Sequence, residues 1–314
     1  MNPSAGGFSA LEQRVRDLVA SSKGSDILYS RLTESGEVNI EGFRLDGRPV
    51  AVLGGDGTQS SVINHVKRAY EQDGSECPPF FPIPCGTGNG IKVGLGLKQE
   101  PAKLLEMYAA ESMVPRPIDL IEMLDGSSSR YIVNIFDAGI VPEVLKTRNA
   151  IMLENPAEPD YHRRMFVIQY TLAALRVVSN NTSYNFSRIE LDGHQEKTKN
   201  VKLITLGNGL CYSSKPGIYP LVLAMIDDGK ISSAILRVSS NPLTFWAKIV
   251  ASAGLMALRI PNPASKYKDC EWVSIEGKDI PCEVDGEYLG RKDSLHFRIK
   301  KAKENKGIRV YVPA

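Results

Sequence analysis

The sequence predicts two domains, a three-layer α/β domain followed by an antiparallel β-sandwich. The 314 residues exceed what a single hydrophobic core usually serves, so about two domains are expected. Within the first 110 residues, three glycine-rich turns each lead into a helical pattern, which is typical of an α/β sheet with its ligand loops at the carboxyl ends of the strands. After the proline-dense residues 114–117, short alternating apolar runs indicate antiparallel strands. We therefore place the domain boundary after residue 113.

The first glycine turn lies at the start of the chain, where Asn2-Pro3-Ser4 is followed by two glycines. A helix with Leu11, Val15 and Leu18 on one face is predicted to follow it. A strand is expected before such a loop and none is present in the sequence. Residues 27–33 predict the next strand.

The second turn is the centre of the prediction. Residues 50–53 are typical of a buried strand that stops at Gly54-Gly55-Asp56-Gly57, and residues 60–65 are predicted to begin a helix. Glycines let the backbone come close to a ligand, and the amides at a helix start favour an anion. These features predict a phosphate-binding loop in which Asp56 acts as a base for an attacking hydroxyl or as the partner of a metal. An ordinary surface turn is the alternative, because Gly-Asp-Gly is common turn chemistry.

A third turn at residues 85–90 follows an extended, proline-rich segment over residues 80–84. A helix is predicted from Ile91 onward, and another over residues 101–111. Because three such units converge on one sheet edge, the phosphate-binding interpretation of Asp56 is favoured over the surface turn.

The second domain is predicted from six apolar runs and one long helix over residues 163–178. The runs cover residues 118–123, 131–136, 201–206, 231–238, 272–275 and 281–284. Two pairs of acids stand beside a glycine, in Asp227-Asp228-Gly229 and Asp285-Gly286-Glu287. On composition alone both are best interpreted as hairpin turns.

Composition and charge narrow the class of protein. A net charge of +2 is too small to indicate the basic surface of a nucleic-acid-binding protein, so we expect no nucleic-acid partner. Five scattered cysteines, without metal or disulfide spacing, predict reduced thiols in a cytoplasmic protein. No apolar run reaches the roughly 18 residues of a membrane span, and we expect no transmembrane segment.

The order of the motifs resembles that of the diacylglycerol kinase catalytic-domain superfamily, which includes bacterial lipid kinases, sphingosine kinases and ceramide kinases. The motifs that carry the resemblance run from Asn2-Pro3-Ser4 through Gly54-Gly55-Asp56-Gly57-Thr58, Pro84-Cys85-Gly86-Thr87-Gly88-Asn89, Asp227-Asp228-Gly229 and Asp285-Gly286-Glu287 to Val310-Tyr311-Val312-Pro313. The resemblance implies a nucleotide-binding domain over residues 1–113, completed by residues from about 300 to 314, and a lipid-substrate β-sandwich over residues 114–299. It also implies ATP and Mg²⁺ in the cleft.

The resemblance also implies roles for individual residues. Asp56 matches the aspartate that is the general base in the sphingosine kinase branch. Glu287 matches the glutamate that has been assigned this role in bacterial members. Asp228 matches a metal position, and Glu143 matches an acid that recognises the substrate head group. The implied nucleotide-binding residues are Asn2, Thr33, Gly55, Gly57, Thr58, Gly86, Thr87, Gly88, Asn89 and Arg164.

Two departures from the family pattern affect these expectations. Ser60-Ser61 stands where relatives carry Asn-Glu, so any role of that glutamate is lost or moved. Leu145 stands where sphingosine kinases carry the aspartate that binds the amino alcohol, which argues against sphingosine itself.

The sequence therefore predicts a kinase that transfers the γ-phosphoryl group of ATP to the hydroxyl of a lipid presented by a membrane, with diacylglycerol, ceramide and a sphingoid base as candidate acceptors. Such a protein is expected in the cytoplasm with peripheral membrane contact, and a homodimer is compatible with the sequence. Two alternatives stay open. A small-molecule kinase of the NAD kinase type shares the central loop, and a nucleotide-binding regulator without catalysis would account for Ser60-Ser61 and the absent first strand.

Overall fold

The computed structural model describes most of the chain, and the fold below refers to that part. The residues it describes are 11, 13–17, 47–86, 88–154, 165–180, 183–209, 213–214, 217–218, 221, 224–238, 258, 260–304 and 307–314. The predicted strand over residues 27–33 lies outside them, as do the predicted site residues Asn2, Thr33, Thr87 and Arg164.

The first sheet has four strands in the order β1-β2-β16-β3. β1 and β2 are parallel, β16 adds to β2 in parallel, and β3 runs antiparallel to β16. The last strand of the chain therefore lies inside the first sheet, between two strands that precede it by roughly 200 residues in the sequence. The strands are β1 (Val50–Gly54), β2 (Phe80–Pro84), β3 (Met113–Ile118) and β16 (Ile308–Pro313).

In the described part of the chain, four helices accompany this sheet. They are α1 (residues 11 and 13–17), α2 (Asp56–Asp73), α3 (Gly90–Gly94) and α4 (Pro101–Ala109). α2 begins at Asp56, four residues before the predicted start, because the turn needs only Gly54 and Gly55. It ends where Gly74 adopts the left-handed conformation with φ 68°. The apolar core beneath the sheet includes Val15 of α1, as the helix periodicity predicted.

The second sheet has ten antiparallel strands and begins directly after the first. Its main path is β13-β12-β9-β6-β14-β15-β4-β5, with β7 and β8 branching from β14. The strands are β4 (Leu120–Asp125), β5 (Ser128–Ile132), β6 (Ile135–Gly139), β7 (Asn185–Leu191), β8 (His194–Gln195), β9 (Val201–Gly207), β12 (Ile231–Arg237), β13 (Ser265–Cys270), β14 (Trp272–Val284) and β15 (Glu287–Lys300). A separate short hairpin is formed by β10 (Ser213–Ser214) and β11 (Gly217–Ile218).

The long strand β14 makes the second sheet a sandwich. Its first half pairs with β7 and its last three residues pair with β6, so the sheet divides along this strand and its two branches enclose a common core. Phe136 and Phe297 meet in that core at 4.6 Å between ring centroids. The predicted architecture of an α/β domain followed by an antiparallel β-sandwich is confirmed.

Several predicted elements differ in detail. Residues 114–117 do not interrupt regular structure but belong to β3, where an edge strand accepts Pro115 and Pro117. The predicted strand over 131–136 is divided between β5 and β6. The two predicted runs within 272–284 are one strand, β14.

Between β6 and β7, the described residues form two helices where the sequence predicted one. The predicted long helix is α6 (Phe166–Ser179), and it packs against an additional helix, α5 (Ile140–Glu154), which directly follows β6.

The predicted reduced thiols are found where the structure describes them. Cys77, Cys85, Cys270 and Cys282 are buried and free. Among the described residues, no helix has both the length and the apolar character needed to cross a bilayer.

Candidate active site

Two glycine turns are in direct contact at the carboxyl ends of β1 and β2. A Cβ atom on Gly86 would lie 2.4 Å from the Cα atom of Gly55, a distance that real Cβ contacts do not reach. Asn89 fixes this approach, because its Oδ1 accepts the Gly86 amide at 2.9 Å and its Nδ2 donates to the Gly86 carbonyl at 2.7 Å. The predicted residues Gly55, Gly86 and Asn89 therefore lie together, and only glycine fits where the turns meet.

The carboxylate of Asp56 connects the same two turns. Its Oδ2 accepts the Gly90 amide at 2.8 Å and its Oδ1 accepts the Ile91 amide at 3.0 Å. Burial raises the pKa of Asp56 to about 6, although these amides and the Asn89 amide lower it. In this structure Asp56 holds the start of α3 against the start of α2, a role that its sequence context did not reveal.

The first turn of α2 faces this junction with its backbone donors. Gly55 is the N-cap residue and provides no side-chain cap, and the side chain of Asp56 is engaged by α3. The 18-residue helix thus presents uncapped amides and the positive end of its dipole. Thr58 packs against Gly54 in the same turn and is buried. Such a helix start is suited to a phosphate group.

The Asp285-Gly286 turn joins β14 and β15 and contacts the Gly54–Gly57 loop. Both residues have positive φ, 49° and 85°, and Val284 pairs with Glu287, as the predicted two-residue hairpin requires. A Cβ atom on Gly57 would lie 4.0 Å from the Asp285 carbonyl oxygen. The turn is therefore both a hairpin and a wall of the candidate site.

The side chain of Asp285 holds this wall against the strands behind it. Its carboxylate accepts the amides of Val133, Asn134 and Ile135 at 3.2, 3.0 and 2.9 Å. Burial raises the pKa of Asp285, while the nearby Ser60 hydroxyl and these amides lower it. Ser60, which departs from the family pattern, is fully buried beside this carboxylate.

A buried carboxyl pair continues from Asp285 into the sandwich. Asp137 and Glu283 are cross-strand partners on β6 and β14, and the Thr205 hydroxyl donates to Asp137 at 2.5 Å. Burial raises the pKa of Glu283 well above its usual range, and the adjacent Asp137 carboxylate raises it further. Each of these buried carboxylates disfavours the charged form of the other, because two like charges in an apolar environment are costly.

Glu287 begins β15 on the far side of the same hairpin turn. Its Oε2 forms an ion pair with Nη2 of Arg130 at 2.5 Å, and its side chain is partly exposed. The candidate base from the sequence thus lies two residues from the wall formed by Asp285.

The turn that contains Asp228 lies before β12. Asp228 is exposed and its Oδ1 accepts the Lys230 amide at 3.0 Å, while the neighbouring Asp227 pairs with Arg116. Burial raises the pKa of Asp228, and the nearby Asp269 and Asp119 carboxylates add to the effect. In the described part of the chain, no group of three or more acidic, histidine or cysteine side chains could hold a metal ion. The assignment of Asp228 as a metal ligand stays a prediction.

Glu143 lies in the first turn of α5 and has a basic partner. Its carboxylate forms an ion pair with Arg291 of β15, which also contacts Asp279. Leu145, at the position of the substrate aspartate in sphingosine kinases, is buried. A carboxylate that is already neutralised by arginine is poorly suited to bind a cationic head group.

Sequence reasoning missed three residues that organise the site. Arg130 pairs with Glu287, and Asn64 of α2 binds the backbone of the adjacent Tyr131. Asp119 accepts the amides of Gly229 and Ala302 at 2.6 and 2.7 Å, which ties the Asp227-Asp228 turn to the returning chain end. None lies beside a glycine motif, so no local signal marked it.

Comparisons with known proteins agree with the predicted resemblance. Residues 1–123 match the family model of the diacylglycerol kinase catalytic domain. A solved structure described as a “putative diacylglycerol kinase” from Bacillus anthracis str. Sterne is 20% identical, with a TM-score of 0.67 over 99% of this chain and 96% of that chain. A second structure with the same description and organism is 18% identical, with a TM-score of 0.64 over 98% and 94%.

A search of curated proteins gave no match. The two structural likenesses, at such identities, show the fold. The family match covers both glycine turns that meet at Gly55 and Gly86, and it ends before Asp228 and Glu287. The resemblance to the diacylglycerol kinase catalytic-domain superfamily is confirmed.

Proposed function

We propose that this chain, whose residues 1–123 match the diacylglycerol kinase catalytic domain, is an ATP-dependent lipid kinase. The observation that carries the proposal is the meeting of three turns at one place. The turns at Gly55 and Gly86 approach to backbone contact, and the turn at Asp285 closes one side of them. This meeting supports a cleft in which backbone donors bind phosphate and a carboxylate accepts a proton.

The reaction uses the α2 helix start to hold phosphate and Glu287 to accept a proton. Uncapped amides of the first turn of α2 bind and orient the phosphates of ATP, which supplies the phosphoryl group. Glu287 is favoured over Asp56 as the base, because both oxygens of Asp56 accept backbone amides and one oxygen of Glu287 does not bond to Arg130. Positioning of this kind supplies most of the catalysis in phosphoryl transfer.

The acceptor that fits best is a lipid with a neutral hydroxyl head, such as diacylglycerol or ceramide. Glu143 is paired with Arg291, and Leu145 is buried in place of an aspartate. Neither residue offers a free carboxylate for the amine of a sphingoid base.

The experiment that tests the function offers several acceptors to the purified full-length chain with γ-labelled ATP and Mg²⁺. Diacylglycerol, ceramide and sphingosine are presented in phosphatidylcholine vesicles, and NAD is offered in solution. We expect label in diacylglycerol or ceramide, identified by mass spectrometry. Transfer to NAD alone would establish the small-molecule kinase, and ATP binding without any transfer would establish the regulator.

Contact with the bilayer is proposed through the outer face of α6. Ile168, Leu172 and Leu175 follow helical spacing and are 49, 47 and 44% exposed. The exposed Arg176 adjoins them, and α6 contains no acidic residue. An apolar stripe beside a cation is suited to the surface of a membrane with anionic lipids.

Replacing Ile168 and Leu172 together by serine is expected to reduce binding to vesicles that contain phosphatidylserine by about tenfold, because two exposed apolar side chains leave the interface. Co-sedimentation measures the effect. Trp272→Ser, an exposed apolar residue at the start of β14, is the matched control and should bind like the wild type. Equal binding of the double variant and the control would contradict the docking role of α6.

A further inference from the structure

The candidate base Glu287 is engaged on one side only. Its Oε2 accepts a hydrogen bond from Arg130 Nη2 at 2.5 Å, with side chains that are 30 and 21% exposed respectively. Within the described residues, no donor contacts its Oε1. One oxygen is therefore engaged by Arg130, and the partly exposed side chain leaves the other oxygen without a donor in the described part of the chain.

Arg130 is itself held in place from both sides along β5. The carbonyl of the preceding residue, Ser129, accepts a hydrogen bond from Arg68. The following residue, Tyr131, exchanges two backbone hydrogen bonds of 2.6 Å with the side chain of Asn64. Arg68 and Asn64 both belong to α2, the helix that begins at Asp56. Arg130 and Glu287 thus lie on two strands of the second sheet, β5 and β15, and the residues on either side of Arg130 are hydrogen-bonded to α2 of the first domain.

We propose that Arg130 is the positioning residue for Glu287 in the phosphoryl-transfer step. By binding Oε2, the guanidinium directs Oε1 toward the hydroxyl of the lipid. Oε1 takes the hydroxyl proton, the lipid oxygen forms a bond to the γ-phosphorus, and the bond from that phosphorus to the bridging oxygen of ADP breaks with its electron pair on ADP. This role rests on the proposed function.

The hydrogen bonds between α2 and β5 connect this ion pair to the first domain. The helix that begins at the proposed phosphate-binding turn therefore also supports the strand that carries Arg130. A guanidinium is suited to this task because its donors are planar and fixed, whereas an ammonium acts as a point charge.

The test is a double-substitution cycle measured by label transfer from ATP to the lipid acceptor. Arg130→Gln is expected to lower kcat by about 10- to 100-fold, because small misplacement of a reacting group has costs of this order, and to leave the KM for ATP within about twofold. Arg130→Lys, which keeps the charge, is expected to lie between this variant and the wild type. In the Glu287→Gln background, Arg130→Gln should change kcat by less than about twofold, because it acts through Glu287.

The outcomes separate this role from its rivals and from the function itself. Losses that multiply in the double variant, or a raised KM for ATP, would show that Arg130 contacts phosphate directly and would overturn the positioning role. No transfer by the wild type would refute the proposed function and this role together. Arg188→Gln, which breaks a comparable pair with Glu190 on β7, is the matched control and should keep wild-type kinetics. Circular dichroism melting establishes that each variant is folded.

Discussion

Glu287→Gln is expected to lower kcat by about 10²- to 10⁴-fold, because the amide cannot accept the proton of the attacking hydroxyl. ATP affinity should change little, since the phosphates are proposed to bind at the start of α2 and Glu287 lies on β15. Turnover is measured by label transfer to diacylglycerol or ceramide, and ATP affinity by titration calorimetry. A loss confined to kcat is the signature of a group that acts in the transition state.

The matched control for this variant is Glu276→Gln. Glu276 lies on β14, is partly exposed and forms an ion pair with Arg188, so it loses a comparable contact away from the glycine turns. Wild-type turnover is expected for it. Wild-type turnover in Glu287→Gln would remove Glu287 from the mechanism and return the base role to Asp56.

The parts of the site that the sequence predicted are those with a local backbone signal. Glycine clusters predicted the turns at Gly55 and Gly86, and Asp285-Gly286 predicted a hairpin. Each of these turns needs a backbone geometry that few other residue types allow. The close approach of the turns at Gly55 and Gly86 could be predicted because both turns follow the carboxyl ends of parallel strands.

The parts that could not be predicted depend on contacts between distant residues. Arg130 and Glu287 are 157 positions apart, and the partners of Asp56 lie 34 and 35 positions away. Patterns of hydrophobicity and turn residues report local structure and carry no information about such pairs. A carboxylate in a glycine loop therefore suggested catalysis, while its observed partners are backbone amides.

Local rules also failed where tertiary context outweighs them. Pro115 and Pro117 suggested a break in regular structure, yet both belong to β3. Because they are two residues apart, the positions where they lack an N–H group lie on the same side of the strand. β3 is an edge strand, and an edge strand has one side without a partner, where proline is tolerated. α5 was missed because its proline at position 142 is in the first turn, where proline is tolerated.

Asp56→Asn is expected to weaken ATP binding by about tenfold or more as well as to lower turnover. The asparagine side chain has one acceptor oxygen, so one of the Gly90 and Ile91 amides would face an NH₂ group instead of a carboxylate oxygen. An unpaired buried donor costs about 1–3 kcal/mol, and about 1.4 kcal/mol corresponds to tenfold in affinity. The loop at residues 86–90 is expected to shift away from Gly55.

The same variant tests the electrostatics of the site through its dependence on pH. Burial raises the pKa of Asp56 from 3.8 to about 6, so between these values the folded protein keeps a proton that the unfolded chain releases. The wild-type free energy of unfolding should therefore fall relative to that of Asp56→Asn as the pH rises from about 4 to about 6. Urea unfolding at several pH values measures this difference. Asp73→Asn, at the exposed end of the same helix, is the control.

The ATP affinity of Asp56→Asn decides between the two roles that the sequence allowed. If Asp56 is the base and has no structural role, its replacement would lower turnover by about 10²- to 10⁴-fold and leave ATP binding unchanged. If the carboxylate instead fixes Gly90 and Ile91, its replacement would weaken binding, because Asn89, next to them, holds Gly86 at the junction with Gly55 where the phosphates are proposed to lie. Unchanged affinity with lost turnover would thus make Asp56 the base and contradict the assignment to Glu287. The opposite result has two parts: weakened ATP affinity in Asp56→Asn, and unchanged affinity with lost turnover in Glu287→Gln. It would show that Asp56 of the first domain shapes the ATP site and that Glu287 of the second domain is the base.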